Sequence, residues 1–229
     1  MCGRYLLSTS AEIIANLFQA QPEVDLRPRY NIAPTQQIPV VLQAPRYRKL
    51  QTLRWGLTPT WAKAKTGPRG GLKLPDFINA RSETAADKPS FRTAFRQRRC
   101  IVPADGFYEW KKTPEGRQAH LIRFSDDQVF GMAAIWEGWT SSEGEQRQGV
   151  CILTTAGNAE LRDLHDRMPV ILHPDRYATW LNPDNAPDDL QGLLQPLPDG
   201  FLSVVRVSNR VNRPQEDDAD LLRPHSGGI

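Results

Sequence analysis

Apolar residues recur along this chain in two rhythms. Near the amino terminus Ile13, Ile14, Leu17 and Phe18 have the spacing of one helical face, and Thr9 and Glu12 stand three apart as a capping box requires. This predicts a helix over residues 10–20, with the residues before it as a short extended lead-in. Nine later runs are shorter and rich in β-branched and aromatic residues: IPVVLQA, LQTLRWGL, RRCIVPA, GFYEWKK, AHLIRFS, VFGMAAIW, GVCILTT, RMPVIL and FLSVVRV. Turn chemistry such as DG, EG and SDD separates them, so they read as strands.

Helical patterns return over 83–97, 159–165, 175–181 and 188–194. Because strands arrive in runs and do not alternate strictly with helices, the expected fold is a single α+β domain. Its sheet should be largely antiparallel and curved or barrel-like, flanked by several short helices. The domain is expected to span residues 1–214, with a flexible tail over 215–229, and TGPRGGLKLP at 66–75 reads as a mobile loop.

Composition narrows the function classes. At 229 residues with 39% hydrophobic and 24% charged residues, the chain is a soluble globular type able to bury a substantial core. A net charge of +3 is far from that of a histone-like protein. Arginine outnumbers lysine by 22 to 7, which suits phosphate recognition, although a GC-rich genome accounts for it equally well. Cys2, Cys100 and Cys151 are widely spaced with no CxxC and no Cys/His cluster, so neither a disulfide framework nor a metal site is expected, and no cofactor. Cys100 and Cys151 sit in apolar runs and read as core. No signal peptide or membrane span is legible, which predicts a cytoplasmic or nucleoid-associated protein. The chain carries no heptads and is expected to be a monomer.

Four stretches place polar residues in apolar frames: MCGR at the start, FINARSET around Asn79, ADGFYEW around Glu109 and DLHDRMPV around His165. Phe77 and Ile78 read as core, while Asn79 and Arg81 alternate onto a common face. Glu109 between Tyr108 and Trp110 is costly unless paired. Taken one at a time, each has a structural explanation as a turn, cap or solvent-facing residue. Beside Cys2 they form a set.

Once Met1 is removed, Cys2 presents an α-amine and a thiol on adjacent carbons. The amine, with a pKa of about 8 against about 10.4 for lysine, is the better nucleophile at neutral pH. It can condense with an aldehyde to an imine, which the neighbouring thiol closes to a five-membered thiazolidine. That second step gains the effective molarity of a tethered nucleophile. Glu and His suit the proton transfers, and Asn79, Arg4 and Arg81 suit the positioning of a sugar and its phosphates. The residues alone leave open an amidohydrolase or peptidase of the N-terminal nucleophile type, and a plain single-stranded DNA binding module.

MCGR, RYNIAPTQ, WGLTPTWA, INARSETA, CIVPADGFYEWKK, LTTAGN and LHDRMPVIL follow one another as do the signature blocks of the SOS response-associated peptidase (SRAP) family, which this chain resembles from residue 2 to about residue 172. So many blocks in order make the resemblance highly specific. It implies an enzyme that crosslinks to abasic sites in single-stranded DNA through a thiazolidine and shields the lesion, with associated lyase activity, and with Met1 removed either by its own autoproteolysis or by a methionine aminopeptidase. Carried onto this sequence, the resemblance makes Cys2 the nucleophile and Asn79 the residue that positions the opened deoxyribose. Glu109 becomes the proton shuttle, and His165 assists ring opening and reversal. Arg4, Arg81 and Arg167 would hold phosphates, while Asn31, Pro34, Trp61 and Thr154 would line the DNA groove, Trp61 by stacking. Replication-fork proteins are the partner class it brings into view.

Overall fold

A computed structural model describes residues 2–63, 65–66, 72–141 and 143–225. The elements run β1 (Tyr5–Leu7), α1 (Ala11–Phe18), β2 (Ala20–Pro22), β3 (Arg29–Ile32), β4 (Gln37–Gln43), β5 (Arg48–Trp55), β6 (Lys65–Thr66), β7 (Leu72–Lys73), β8 (Asn79–Arg81), α2 (Ser82–Ala85) and α3 (Arg92–Gln97). They continue with β9 (Arg99–Ala104), β10 (Gly106–Thr113), β11 (Gly116–Phe124), β12 (Phe130–Thr140), β13 (Gln146–Ala156), β14 (Arg167–Pro169), β15 (Ile171–Leu172), α4 (Tyr177–Leu181) and β16 (Leu202–Arg206). Short 3-10 helices lie at Pro174–Arg176, Pro187–Leu194, Asn209–Asn212 and Ala219–Leu222.

Five of these strands close into a barrel. β5, β4, β9, β12 and β13 pair antiparallel in that order, and β13 returns parallel onto β5 with Gly149 opposite Arg54 and Val150 opposite Trp55. Closure needs a glycine, because a Cβ on residue 149 would lie 2.0 Å from the Gly56 carbonyl oxygen. The barrel interior is filled by buried aliphatic and aromatic side chains, among them Ile38, Val40, Leu53, Trp55, Val102 and Ile152, while Ile101 and Ile135 lie on the other face of the same strands. Burial of this kind is the main favourable term in folding, at about 25 cal/mol per Å² of apolar surface.

A second, antiparallel sheet runs β16-β11-β10-β1-β3. Strand alternation splits it into two faces. Phe107 and Ile122 join the barrel core, whereas Leu6, Tyr108, Ala119 and Leu121 form a smaller core with Val207, Val211 and Leu221. Glu109, two residues after Phe107, therefore lies on the barrel-facing side, which is what brings a carboxylate between the sheets.

Each of the nine strand-like runs is extended, and a barrel with antiparallel strands and short helices is the observed class. Several details differ. Ser10, not Thr9, caps α1, accepting from the Ile13 N–H, because the Thr9 hydroxyl is drawn to Asp105 at 2.8 Å. Only Ile14 and Phe18 of the predicted helical face are buried, while Ile13 and Leu17 are exposed. The helix expected over 83–97 is two short ones, interrupted around Pro89, whose ring removes an N–H and disfavours helix before it. Residues 159–165 form turns, and Leu161 anchors them in the core. The loop expected at 66–75 falls in its middle, 67–71, outside the described residues; β6 and β7 at its flanks pair antiparallel.

The flexible tail is corrected over 215–225. Asp217 accepts hydrogen bonds from the backbone of Tyr30 at 2.5 Å and Asn31 at 2.8 Å and also bonds Arg29, which covers the outer edge of β3. Leu221 is fully buried in the smaller core. The segment is held because it completes hydrogen bonds and apolar contacts that its polar sequence conceals.

Candidate active site and nucleic-acid interface

The extended lead-in to β1 carries Cys2 into the interior, where it is fully buried. Asn79 opens β8, which is held parallel to β13 with Asn79 opposite Ile152, and the Trp55 indole N–H bonds the preceding Ile78 carbonyl at 3.0 Å. From this seat the Asn79 side-chain amide donates to the Cys2 carbonyl at 2.8 Å. Its other amide atom, Oδ1, is buried and accepts no hydrogen bond among the described residues. An orphaned acceptor of that kind costs about 1–3 kcal/mol unless something supplies a donor.

Burial, and after it the charge of Glu109, pushes the Cys2 thiol far above its ordinary pKa. Cys2 is therefore a neutral thiol, with Glu109 within electrostatic reach. Glu109 is itself buried. The hairpin register sets His120 directly opposite it, with the His120 Nδ1 3.1 Å from the Gln118 carbonyl.

His165 stands at the end of the 157–166 turn segment. That segment is clamped by Glu160, which accepts from the backbone N–H of Gly200 at 2.6 Å, and by Asp199, which accepts from Ala159 at 2.9 Å. The Arg167 backbone N–H lies 2.9 Å from His165 Nδ1. Asp166 Oδ1 lies 2.9 Å from the same Nδ1.

Glu109 and His165 share a cleft of about 660 Å³ walled by Trp110, Lys112, Arg117 and residues 162–166. The four expected catalytic residues thus form two linked pairs, Cys2 with Asn79 and Glu109 with His165, joined by the influence of Glu109 on the thiol. A more apolar cavity of about 640 Å³ between residues 124–130 and 192–201 contains none of them.

The expected DNA contacts divide. Trp61 is 57% exposed, with its indole N–H on the Pro89 carbonyl at 3.3 Å, and Arg81 is exposed beside α2. Pro34 is half-buried in the turn that joins β3 to β4. Asn31 and Thr154 do not line an open surface: both are fully buried. The Asn31 amide donates to the carbonyls of Val211, Arg213 and Glu216 and accepts from Arg4, so it braces the C-terminal segment. Arg4 bonds Asn31 at 2.8 Å and the Val211 carbonyl at 2.7 Å, which leaves it little freedom to grip a phosphate. Arg167 forks onto Glu83 at 2.5 and 2.8 Å and reaches the Thr154 carbonyl. That fork holds the Glu83 carboxyl below its ordinary pKa.

Sequence reasoning passed over Glu83, His120 and Asp217. Glu83 lies inside the INARSETA block, and counting outward from the TPEG turn would have placed His120 across from Glu109. Asp217 carries no local signal.

The chain was compared with known proteins. The family model described as SOS response associated peptidase (SRAP) matches residues 1–214. Abasic site processing protein YoqW of Bacillus subtilis is 40% identical, over 98% of this chain and 100% of that protein. Abasic site processing protein YedK of Escherichia coli is 30% identical over the same shares. A crystal structure of a Bacteroides thetaiotaomicron protein superposes with a TM-score of 0.84 at 24% identity, covering 98% of this chain and 100% of that one, which establishes the shared fold. Among the described residues no helix is long and apolar enough to cross a membrane.

Proposed function

The chain belongs to the SOS response associated peptidase (SRAP) family, and from that premise we propose that it captures abasic sites in single-stranded DNA as a covalent thiazolidine on Cys2, after removal of Met1. The names of its relatives support abasic-site processing, and the chemistry of this chain's own residues supports the covalent step. The observation that carries the reading is the Asn79 amide, which grips the Cys2 carbonyl with one atom and keeps the other, buried and unsatisfied, for a donor. A hydroxyl of the ring-opened deoxyribose is such a donor.

The steps balance without any oxidant. His165, which shares the cleft with Glu109, assists opening of the cyclic hemiacetal to the aldehyde by moving a proton. The α-amine of Cys2 adds to the aldehyde carbon, and the carbinolamine loses water to give the imine, with Glu109 moving the protons. The sulfur then bonds to the imine carbon while the thiol proton passes to the nitrogen. Because the thiolate is the nucleophile and burial holds this thiol protonated, the closure needs its proton drawn off as the sulfur attacks, a transfer for which Glu109 is the nearby base. Trp61 would stack on a flanking base, and Arg81 would meet a phosphate.

The test is to mix Met1-processed protein with a single-stranded oligonucleotide bearing one abasic site, then run a denaturing gel and take an intact mass. A heat-stable adduct that vanishes with Cys2→Ala is expected. No adduct, with removal of Met1 verified, would overturn the reading and direct attention to glutamine or peptide hydrolysis.

A further inference from the structure

Lys112 and Arg117 stand directly opposite each other near the tip of the β10–β11 hairpin. Like charges in that position repel, and a strand pair tolerates them only at a cost to stability. Both are exposed, as is Arg162 across the cleft. Arg54, Arg98, Arg123, Arg147 and Arg210 have each closed on a carboxylate, whereas Arg27, Arg46, Arg92, Arg96 and Arg206 are exposed without one among the described residues but do not converge on a cleft with other cations. Among the described residues the charged ends of Lys112, Arg117 and Arg162 meet no acceptor. Asp163 shares the same wall and is not within ion-pair distance of any of them, and Asp166 is turned to His165.

Three cations with no ion-pair partner among the described residues therefore line a cleft together with Glu109, Asp163, Asp166 and His165, while Cys2 and Asn79 are not among its walls. We infer that this cleft is a phosphodiester subsite that takes the DNA backbone on one flank of the lesion, leaving Trp61 and Arg81 to the other. The inference rests on the abasic-site reading above. It adds Lys112, Arg117 and Arg162 to the DNA path and gives the strand a direction across the molecule. The chemistry fits: two cations on one hairpin and a third facing them can share the oxygens of one or two phosphates, and the ligand removes the repulsion between Lys112 and Arg117.

The experiment uses the whole chain and three single-stranded oligonucleotides with a tetrahydrofuran abasic analogue, which has no aldehyde and cannot crosslink. The analogue sits centrally, near the 5′ end or near the 3′ end. Binding is followed by fluorescence anisotropy across a sodium chloride series, for the parent and for Lys112→Gln/Arg117→Gln and Arg162→Gln, with melting temperatures as a check on folding. Each lost phosphate contact should weaken binding about fivefold near 0.1 M salt and flatten the log–log salt slope by about 0.7. The loss should fall on the central oligonucleotide and on only one of the end-placed pair. Equal losses on both end-placed oligonucleotides, or no loss on any, would overturn the subsite. A parallel crosslinking reaction with a true abasic aldehyde separates the two ideas. Crosslinking by the parent with no flank-specific loss in the variants defeats the subsite alone, whereas no crosslinking by the parent defeats the reading on which it rests.

Discussion

The floor of the site and its rim are built on opposite terms. Cys2, Asn31, Glu109 and Thr154 are buried, and Asn31 and Thr154 already have their polar groups engaged by the chain. At the rim, Trp61, Arg81, Lys112, Arg117 and Arg162 are exposed, and the cations lie free of any carboxylate within 4 Å among the described residues. Folding satisfies Asn31 and Thr154, whereas the rim, and Asn79 Oδ1 beside Cys2, are completed only by a ligand. Arg167 belongs with the floor despite its type, because Glu83 has closed its fork.

The sharpest way to separate the two is Cys2→Ala, which should remove the stable adduct altogether while leaving noncovalent binding to the tetrahydrofuran oligonucleotide intact. A denaturing gel and anisotropy read the two effects independently. Asn31→Ala should instead damage the floor through folding. It strands the Val211, Arg213 and Glu216 carbonyls and one Arg4 donor, and a cost of about 1–3 kcal/mol is expected for buried groups left unsatisfied. Denaturant melts would show it, and unchanged stability would mean the bracing is replaceable by water.

Trp61→Ala tests the rim. Loss of one base stack should weaken binding by about 1–3 kcal/mol with no change in melting temperature. A fall in stability without a loss of affinity would transfer Trp61 to the floor. Glu83→Gln tests the boundary: with its carboxylate charge gone, Arg167 becomes available to a phosphate, so affinity should rise about fivefold near 0.1 M salt and the salt slope should steepen by about 0.7. Weaker binding would mean that Glu83 positions Arg167 and does not compete for it.

The smallest effect concerns pH. Burial raises the thiols of Cys2, Cys100 and Cys151 in the folded state, so above about pH 8.5 the unfolded chain gives up protons that the folded one keeps. The stabilisation is full below that value and drains as pH rises. Melting temperatures over this range should therefore fall, less steeply in Cys100→Ala at equal starting stability, and rim variants should follow the parent curve.

Strands were the legible part of this fold, because runs such as VFGMAAIW and GVCILTT are both β-prone and largely apolar. Barrel closure was hidden, since it depends on Gly149 and Gly56 meeting across nearly a hundred residues of chain. In the site, the chemistry of Cys2 and the cost of Glu109 could be argued from residue type, while the grouping of Asn79, Glu109 and His165 came from resemblance. Nothing local distinguishes Asn31 as a brace from Asn31 as a ligand contact, or Arg167 as paired from Arg81 as open. Those distinctions arise from partners distant in sequence, such as Glu83 and the carbonyls of residues 211–216.

The Asp217 clip on β3 has a practical side. Trimming the chain at residue 214 would preserve everything that the family model matches and yet uncover the edge of β3 and unseat Leu221. Such a truncated protein should be cut readily by proteases near residues 208–214 and should stick to itself through the bared strand. Purification handles and fusion partners therefore belong after the segment that carries Asp217 and Leu221, not in its place.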